Sequence, residues 1–180
     1  MNTRKDRAEK LLQSFGILDE LSRFGNVHLV GSYMTDLMAS NDIDIYVEND
    51  EMSLPLLHEL TCYILRSFAP IWYEAKEDVT TEGKVVWFHG FETVISGEKW
   101  NFDIRFVDSD AITEAERFCD EIRRVTSEFP AKRNAIMDIK IGLISRGMYS
   151  HDKFTSMDLY KAVLEQNIGS FDSFIKNYSK

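Results

Sequence analysis

The spacing of apolar residues changes period several times along the chain, and each change marks an element. From Lys5 to about Phe24, the residues Leu11, Leu12, Ile17, Leu18 and Leu21 recur at helical intervals, predicting one helix. The stretch "GNVHLVG" then predicts a short strand near Val27–Val30. Gly31 breaks it, and Ser32 is placed to cap a short helix reaching about Ala39. Asp42–Val47 alternates polar and apolar residues with period two, the signature of a half-buried strand. A further helix is expected over about Leu54–Phe68, opened by Pro55 and stopped by Pro70.

The middle of the chain is β-rich. "IWYEA" reads as a strand, and Val85–Ile95 with Lys99–Val107 reads as a hairpin closed by the "SGEK" turn. From Ala111 onward the pattern is helical, with segments near 111–127, 131–146, 155–166 and 170–177. Ser109-Asp110, Phe129-Pro130 and Gly147 punctuate them. The expected class is therefore α+β. A mixed β-sheet flanked by helices occupies residues 1–109, and a C-terminal helical region, residues 110–180, packs on that core.

One feature of this pattern is unusual. Aspartate is depleted from strands, yet Asp42 and Asp44 both lie in one, two residues apart. Alternate strand residues share a face, so both carboxylates point the same way while Ile43, Ile45 and Val47 point into the core. Two like charges roughly 6–7 Å apart along a strand repel each other, and folding alone has no use for that. A divalent cation does, because hard oxygen ligands suit Mg²⁺ and its charge cancels the repulsion. Asp103 in "KWNFDIRFV" is the candidate third carboxylate. Its strand also alternates, with Trp100, Phe102, Ile104 and Phe106 on one face and Asn101, Asp103 and Arg105 on the other. Should the two strands be neighbours, three carboxylates share one face and can hold two ions, the arrangement that serves phosphoryl or nucleotidyl transfer. Gly31-Ser32 adds a place where backbone can approach a phosphate closely.

Composition narrows the setting. The chain has 180 residues, 44% hydrophobic and 12% aromatic, enough for a sizeable core and too apolar for disorder. A formal charge of −9 argues against a general binder of phosphate backbones, so nucleic acid is a disfavoured partner, and it suits a cationic small molecule. Apolar runs such as Val85–Phe88 are too short to span a bilayer, and "MNTRKDRAEKLLQSFG" has no apolar signal core. No membrane partner and a cytoplasmic location are expected. Cys62 and Cys119 are far apart and are expected to be reduced and at least partly buried.

Taken together, "LVGSYMTDLMASNDIDIYV" and the later "NFDIRF" resemble the signature of the polymerase-β-like nucleotidyltransferase superfamily. That signature is an apolar strand, Gly-Ser or Gly-Gly, about ten residues, Asp-x-Asp in a second strand, and a third carboxylate on a later one. The resemblance covers Val27 to Val107 and implies a nucleotidyltransferase-like fold. It implies that Gly31 and Ser32 bind the triphosphate, that Asp42 and Asp44 ligate metal, and that Asp103 completes the metal site and assists deprotonation of an acceptor hydroxyl. The implied cofactor is Mg²⁺, with Mn²⁺ as a substitute, and the implied donor is a nucleoside triphosphate, ATP among them. Size, charge and helical tail are similar to the small antibiotic-modifying branch, the lincosamide and aminoglycoside nucleotidyltransferases, which implies a small-molecule hydroxyl as acceptor. The alternatives are a non-catalytic regulatory or antitoxin-like module of the same fold, and nucleotidylation of a protein side chain or of RNA. A homodimer that completes the site is left open.

The remaining chemistry-bearing residues have bland readings. His28, His58, His89 and His151 lack metal-ligand spacing, and His89 is expected to be structural. Trp72, Trp87 and Trp100 belong by default to the core, with base stacking by one of them as the rival reading. Arg105 is a phosphate contact or a partner for a carboxylate, and Tyr33, Met34 and Leu37 are packing residues. Glu74, Glu77, Asp78 and Glu82 form a solvated acidic loop.

Overall fold

Gly16 divides the first helical stretch in two. A computed structural model describes residues 3–80, 83–150 and 152–178, and in it α1 (Arg4–Phe15) ends where Gly16 takes φ +64°. A second short helix, α2 (Ile17–Leu21), follows at once. The single helix expected through Phe24 is thus corrected. Apolar periodicity continues across Gly16, but a left-handed residue turns the axis there and terminates the hydrogen-bond ladder. His151 and Glu82 lie outside the described residues.

The chain divides into two compact units, Met1–Cys119 and Asp120–Lys180. The first holds a five-stranded mixed sheet in the order β1-β2-β5-β4-β3. Its strands are β1 (Asn26–Leu29), β2 (Asp42–Glu48), β3 (Trp72–Val79), β4 (Val85–Ile95) and β5 (Glu98–Val107). β2 and β5 run parallel, and the other neighbours run antiparallel. The expected hairpin is β4–β5, closed by Ser96 and Gly97, both at positive φ. Between β1 and β2 lies a single helical turn, α3 (Gly31–Met34), and between β2 and β3 lies α4 (Leu54–Phe68), with proline in its first turn.

One sheet face is the core. Ile43, Ile45 and Val47 from β2 meet Trp100, Phe102, Ile104 and Phe106 from β5 and Phe91 from β4. Leu11 and Leu12 of α1, Ile17 and Leu21 of α2, and Leu57, Leu60, Ile64 and Phe68 of α4 cover them. At about 1.5–3 kcal/mol per fully buried large side chain, this face supplies the main driving force for the unit. Phe68 sits where helix and sheet meet, within ring contact of Phe15, Phe91 and Phe102. The opposite face carries the aspartates. Farther along it, Val86, Val107 and Ile112 form a small apolar cluster with Tyr46 and Ala111. Cys119 is buried, but Cys62 is exposed on α4, contrary to expectation, and neither is in a disulfide. The exposed side of α4 is the side away from its Leu57–Leu60–Ile64–Phe68 stripe, and residue 62 falls there.

The helix α5 (Ser109–Glu128) runs across the division between units. The second unit is helical, with α6 (Pro130–Ser145), α7 (Ser156–Tyr160), a π-helical turn Lys161–Glu165 and α8 (Phe171–Tyr178). The regular helix expected over 155–166 therefore widens after Tyr160. Thr155 and Asp158 start α7 with a reciprocal capping box. Phe171 lies so close to Gly142 of α6 that a Cβ there would sit 2.3 Å from its ring. No helix among the described residues is long and apolar enough to cross a membrane.

Candidate active site

Strand register brings the three aspartates together. In the parallel pair β2–β5, Asp44 lies opposite Asp103 and Asp42 lies opposite Asn101. Opposed residues share a face, so Asp42, Asp44 and Asp103 all leave the sheet on the side away from the core. One carboxylate oxygen from each lies within 4.8 Å of the others, and all three side chains are half-buried. Such a cluster of hard anionic oxygens is a donor set suited to Mg²⁺ or Mn²⁺.

Asn101 steadies this cluster. Its Nδ2 donates to Asp42 Oδ1 at 2.7 Å and to Asp103 Oδ1 at 3.2 Å, so one amide ties carboxylates from two strands. Hydrogen bonds to charged acceptors are among the stronger ones, and they offset part of the mutual repulsion. The sequence offered a signal for this role, since Asn101 stands two residues before Asp103 on the same face. The loop into β2 is also tied down. Asn101 N donates to Asn41 O at 2.9 Å, Asn41 Nδ2 donates to Lys99 O, and Arg4 reaches across from α1 to Asn41 Oδ1 and Met38 O. Nothing in the sequence pattern pointed to Arg4.

Gly31 abuts the cluster directly. It has φ +61°, and a Cβ at this position would lie 2.0 Å from Asp44 Oδ2. Val30 N donates to Asp44 O at 3.1 Å, which locks the end of β1 onto β2 at this point. The glycine is therefore required by the Asp44 carboxylate as well as by its own backbone conformation. Ser32 differs from expectation. The residue before the helical turn is Val30, no side chain caps it, and Ser32 is buried inside the turn. The turn also stops at Met34 rather than near Ala39, because Asp36 takes a positive φ. Tyr33 and Met34 are half-buried and Leu37 is fully buried, as packing residues are.

Beyond Asp103 the same face continues onto β4 and β3. Gly90 of β4 lies opposite Asp103, and Glu74 of β3 lies opposite Gly90. One row away, Trp72 faces Glu92, which faces Asn101. On the other side, Lys76 faces Phe88 and Phe88 faces Arg105. The Arg105 guanidinium stacks over the Phe88 ring at 4.9 Å and lies 3.8 Å from Asp78. Asp78 and Glu74 thus belong to strand β3 rather than to a loop, as does Glu77. Tyr46, next on the acid face of β2, has its phenol pKa raised, chiefly by burial; Arg105 pulls it down and Asp44 pushes it up. His89 faces the core instead, fully buried, with Nδ1 2.9 Å from the Tyr73 hydroxyl. Trp100 is buried and Trp87 half-buried, but Trp72 is 45% exposed, so the default core reading fails for that one.

No protein family matches the sequence, and no curated protein is matched by it. Solved structures do match. The chain is similar to the non-canonical poly(A) polymerase GLD-2 in its complex with GLD-3, with a TM-score of 0.64 and 13% identity over 93% of this chain and 55% of that one. A cytoplasmic RNA terminal U-transferase matches with a TM-score of 0.60 and 15% identity, covering 89% of this chain and 47% of that one. The Cid1 poly(U) polymerase matches with a TM-score of 0.56 and 15% identity, over 86% and 49% respectively. The chain thus spans about half the length of these structures. What these matches share with the chain is the fold, a mixed sheet flanked by helices. None of the three is an antibiotic-modifying enzyme.

Proposed function

We propose that the protein is a metal-dependent nucleotidyltransferase that moves a nucleoside monophosphate from a nucleoside triphosphate onto a hydroxyl group. The observation carrying this reading is the meeting of Asp42, Asp44 and Asp103 on one sheet face, with Gly31 packed against Asp44. Asp42, Asp44 and Asp103 would hold Mg²⁺, or Mn²⁺ in its place. When bound, the metal neutralises charge on the phosphates and on the attacking oxygen.

The chain's own residues position the reaction. Asn101 fixes two of the carboxylates before any ligand arrives, so little reorganisation is needed at the moment of transfer. Gly31 and Ser32 would offer backbone N–H groups to the triphosphate. With a single turn behind them, the contribution is that of local N–H groups rather than of a long helix dipole. The acceptor oxygen bonds to the α-phosphorus, the bond to the β-phosphate bridging oxygen breaks, and pyrophosphate leaves. The hydroxyl proton passes toward Asp103, the outermost of the three carboxylates on the β4 side.

Two acceptor readings follow. A small hydroxyl-bearing molecule, an antibiotic among them, is supported by the −9 charge, which repels polyanions. The 3′-hydroxyl of RNA is supported by the poly(A), U-transferase and poly(U) names of the structural neighbours. The test is incubation of the full chain with each labelled nucleoside triphosphate and Mg²⁺ or Mn²⁺, offering hydroxylated small molecules, short RNA and proteins. Labelled product is expected with wild type and none with Asp42→Asn or Asp44→Asn. Undiminished transfer by either variant would overturn the mechanism.

A further inference from the structure

Trp72 is a large apolar side chain left 45% exposed on the acid face of the sheet. Its place there is specific. Trp72 shares a row with Glu92, Asn101 and Asp42 across β3, β4, β5 and β2. Its Cη2 lies 3.0 Å from where a Gly90 Cβ would be, and the Phe88 ring meets the same point at 2.7 Å. Gly90 is the direct partner of Asp103. The missing side chain at Gly90 therefore lets two aromatic rings lean over the strand next to the third carboxylate. Phe88 is buried beneath Arg105 and packs as core does, whereas Trp72 keeps an open surface.

Distance limits what can use that surface. Trp72 stands two strands from Asn101, about 10 Å at ordinary strand spacing. The indole itself crosses part of that span, since its Cη2 reaches the Gly90 Cβ position beside Asp103, so a group stacked on its open face would sit next to the third carboxylate, on the side of Asp103 away from Gly31. The charged side chains immediately flanking the indole are paired, Glu74 with Lys76 and Glu92 with Lys99, so the indole rather than an unpaired charge dominates this end of the row. What remains is an exposed indole, which favours flat or ring-shaped groups through stacking.

We infer that Trp72, seated on Gly90 beside Asp103, is the stacking wall of the acceptor subsite and holds a ring of the hydroxyl-bearing acceptor, a nucleobase or a sugar ring. This rests on the nucleotidyltransferase reading. The test uses the full chain with nucleotide and Mg²⁺ and two probes, a short oligoadenylate with a free 3′-hydroxyl and an aminoglycoside. Tryptophan emission and calorimetry read probe binding, and slow transfer of the nucleotidyl group to water reads the carboxylate cluster independently of any acceptor. At least one probe is expected to bind saturably to wild type, and the probe that binds identifies the ring as base or sugar. Trp72→Ala should weaken that binding about tenfold or more, with water transfer unchanged, and Trp72→Phe should restore most of it. A melting curve of Trp72→Ala like that of wild type excludes loss of fold as the cause. Failure of both probes to bind, equal affinity in Trp72→Ala, or an equal loss of water transfer would overturn the subsite while leaving the nucleotidyltransferase reading intact. Nucleotidyl transfer undiminished in Asp42→Asn would instead remove that reading, and the subsite with it.

Discussion

Gly31 illustrates how a single residue can be held by two constraints of different origin. Its φ of +61° disfavours any side chain, and a Cβ would in addition lie 2.0 Å from Asp44 Oδ2. Gly97, at φ +79° in the β4–β5 turn, carries the first constraint without the second, since nothing lies within 4 Å of its Cβ position. Gly31→Ala should therefore lower stability by more than the ~1 kcal/mol expected for Gly97→Ala, and it should also weaken nucleotide-dependent stabilisation by displacing Asp44. Urea titrations of both variants measure the difference, and equal losses would mean that Asp44 yields freely. At this scale much was legible. Period-two alternation put Asp42, Asp44 and Asp103 on polar faces because β geometry fixes where alternate side chains point. That Gly31 makes room for a carboxylate was not legible, because the contact joins residues thirteen apart through the backbone pairing of Val30 with Asp44. Arg4, which braces the Asp42 loop from a different element, was invisible for the same reason.

The strand β4 and the helix α4 meet around a buried polar chain, in which Thr61 bonds the Tyr73 hydroxyl and Tyr73 bonds His89. His89 Nε2 has no partner among the described residues. Burial pushes the His89 pKa down to about 4 from an ordinary 6.5, because a charged imidazole here would lose its hydration. The folded state thus binds its proton less readily than the unfolded chain does. Stability from this group is fully present above pH 6.5 and is lost as pH falls from 6.5 toward 4. At about 1.4 kcal/mol per pH unit, the full effect is of the order of 3 kcal/mol. His89→Gln should flatten that part of the profile, measured as the difference between wild-type and variant unfolding free energies across the window; parallel profiles would show that His89 does not titrate as buried. Element existence and strand pairing were readable from periodicity, as β4–β5 and α4 show. Element ends were less so. The break at Gly16, the single turn at Gly31–Met34 and the π-helical widening after Tyr160 each depend on a local backbone choice that apolar spacing does not encode.

For the whole molecule, a charge of −9 and a cluster of three carboxylates make the ligand-free state electrostatically unfavourable in one place. Asp42→Asn removes one of those charges while keeping an oxygen able to accept from Asn101, so without metal it should leave the melting temperature unchanged or raise it slightly. Adding Mg²⁺ and nucleotide inverts the order. A ligand at a hundred times its Kd stabilises the state it binds by about 2.7 kcal/mol, which for a chain of this size is a rise of several degrees. Wild type should show that rise, and Asp42→Asn only a fraction of it, because a neutral amide is a poor ligand for a hard cation. The crossing of the two variants is informative where either curve alone is not. Charge relief raises one and metal ligation raises the other, and only a carboxylate that serves as a ligand does both. Differential scanning fluorimetry of the full chain, with and without Mg²⁺ and each nucleoside triphosphate, measures it. Equal ligand-induced gains in wild type and Asp42→Asn would mean that nucleotide is held elsewhere, and the convergence of three aspartates would then need a different explanation.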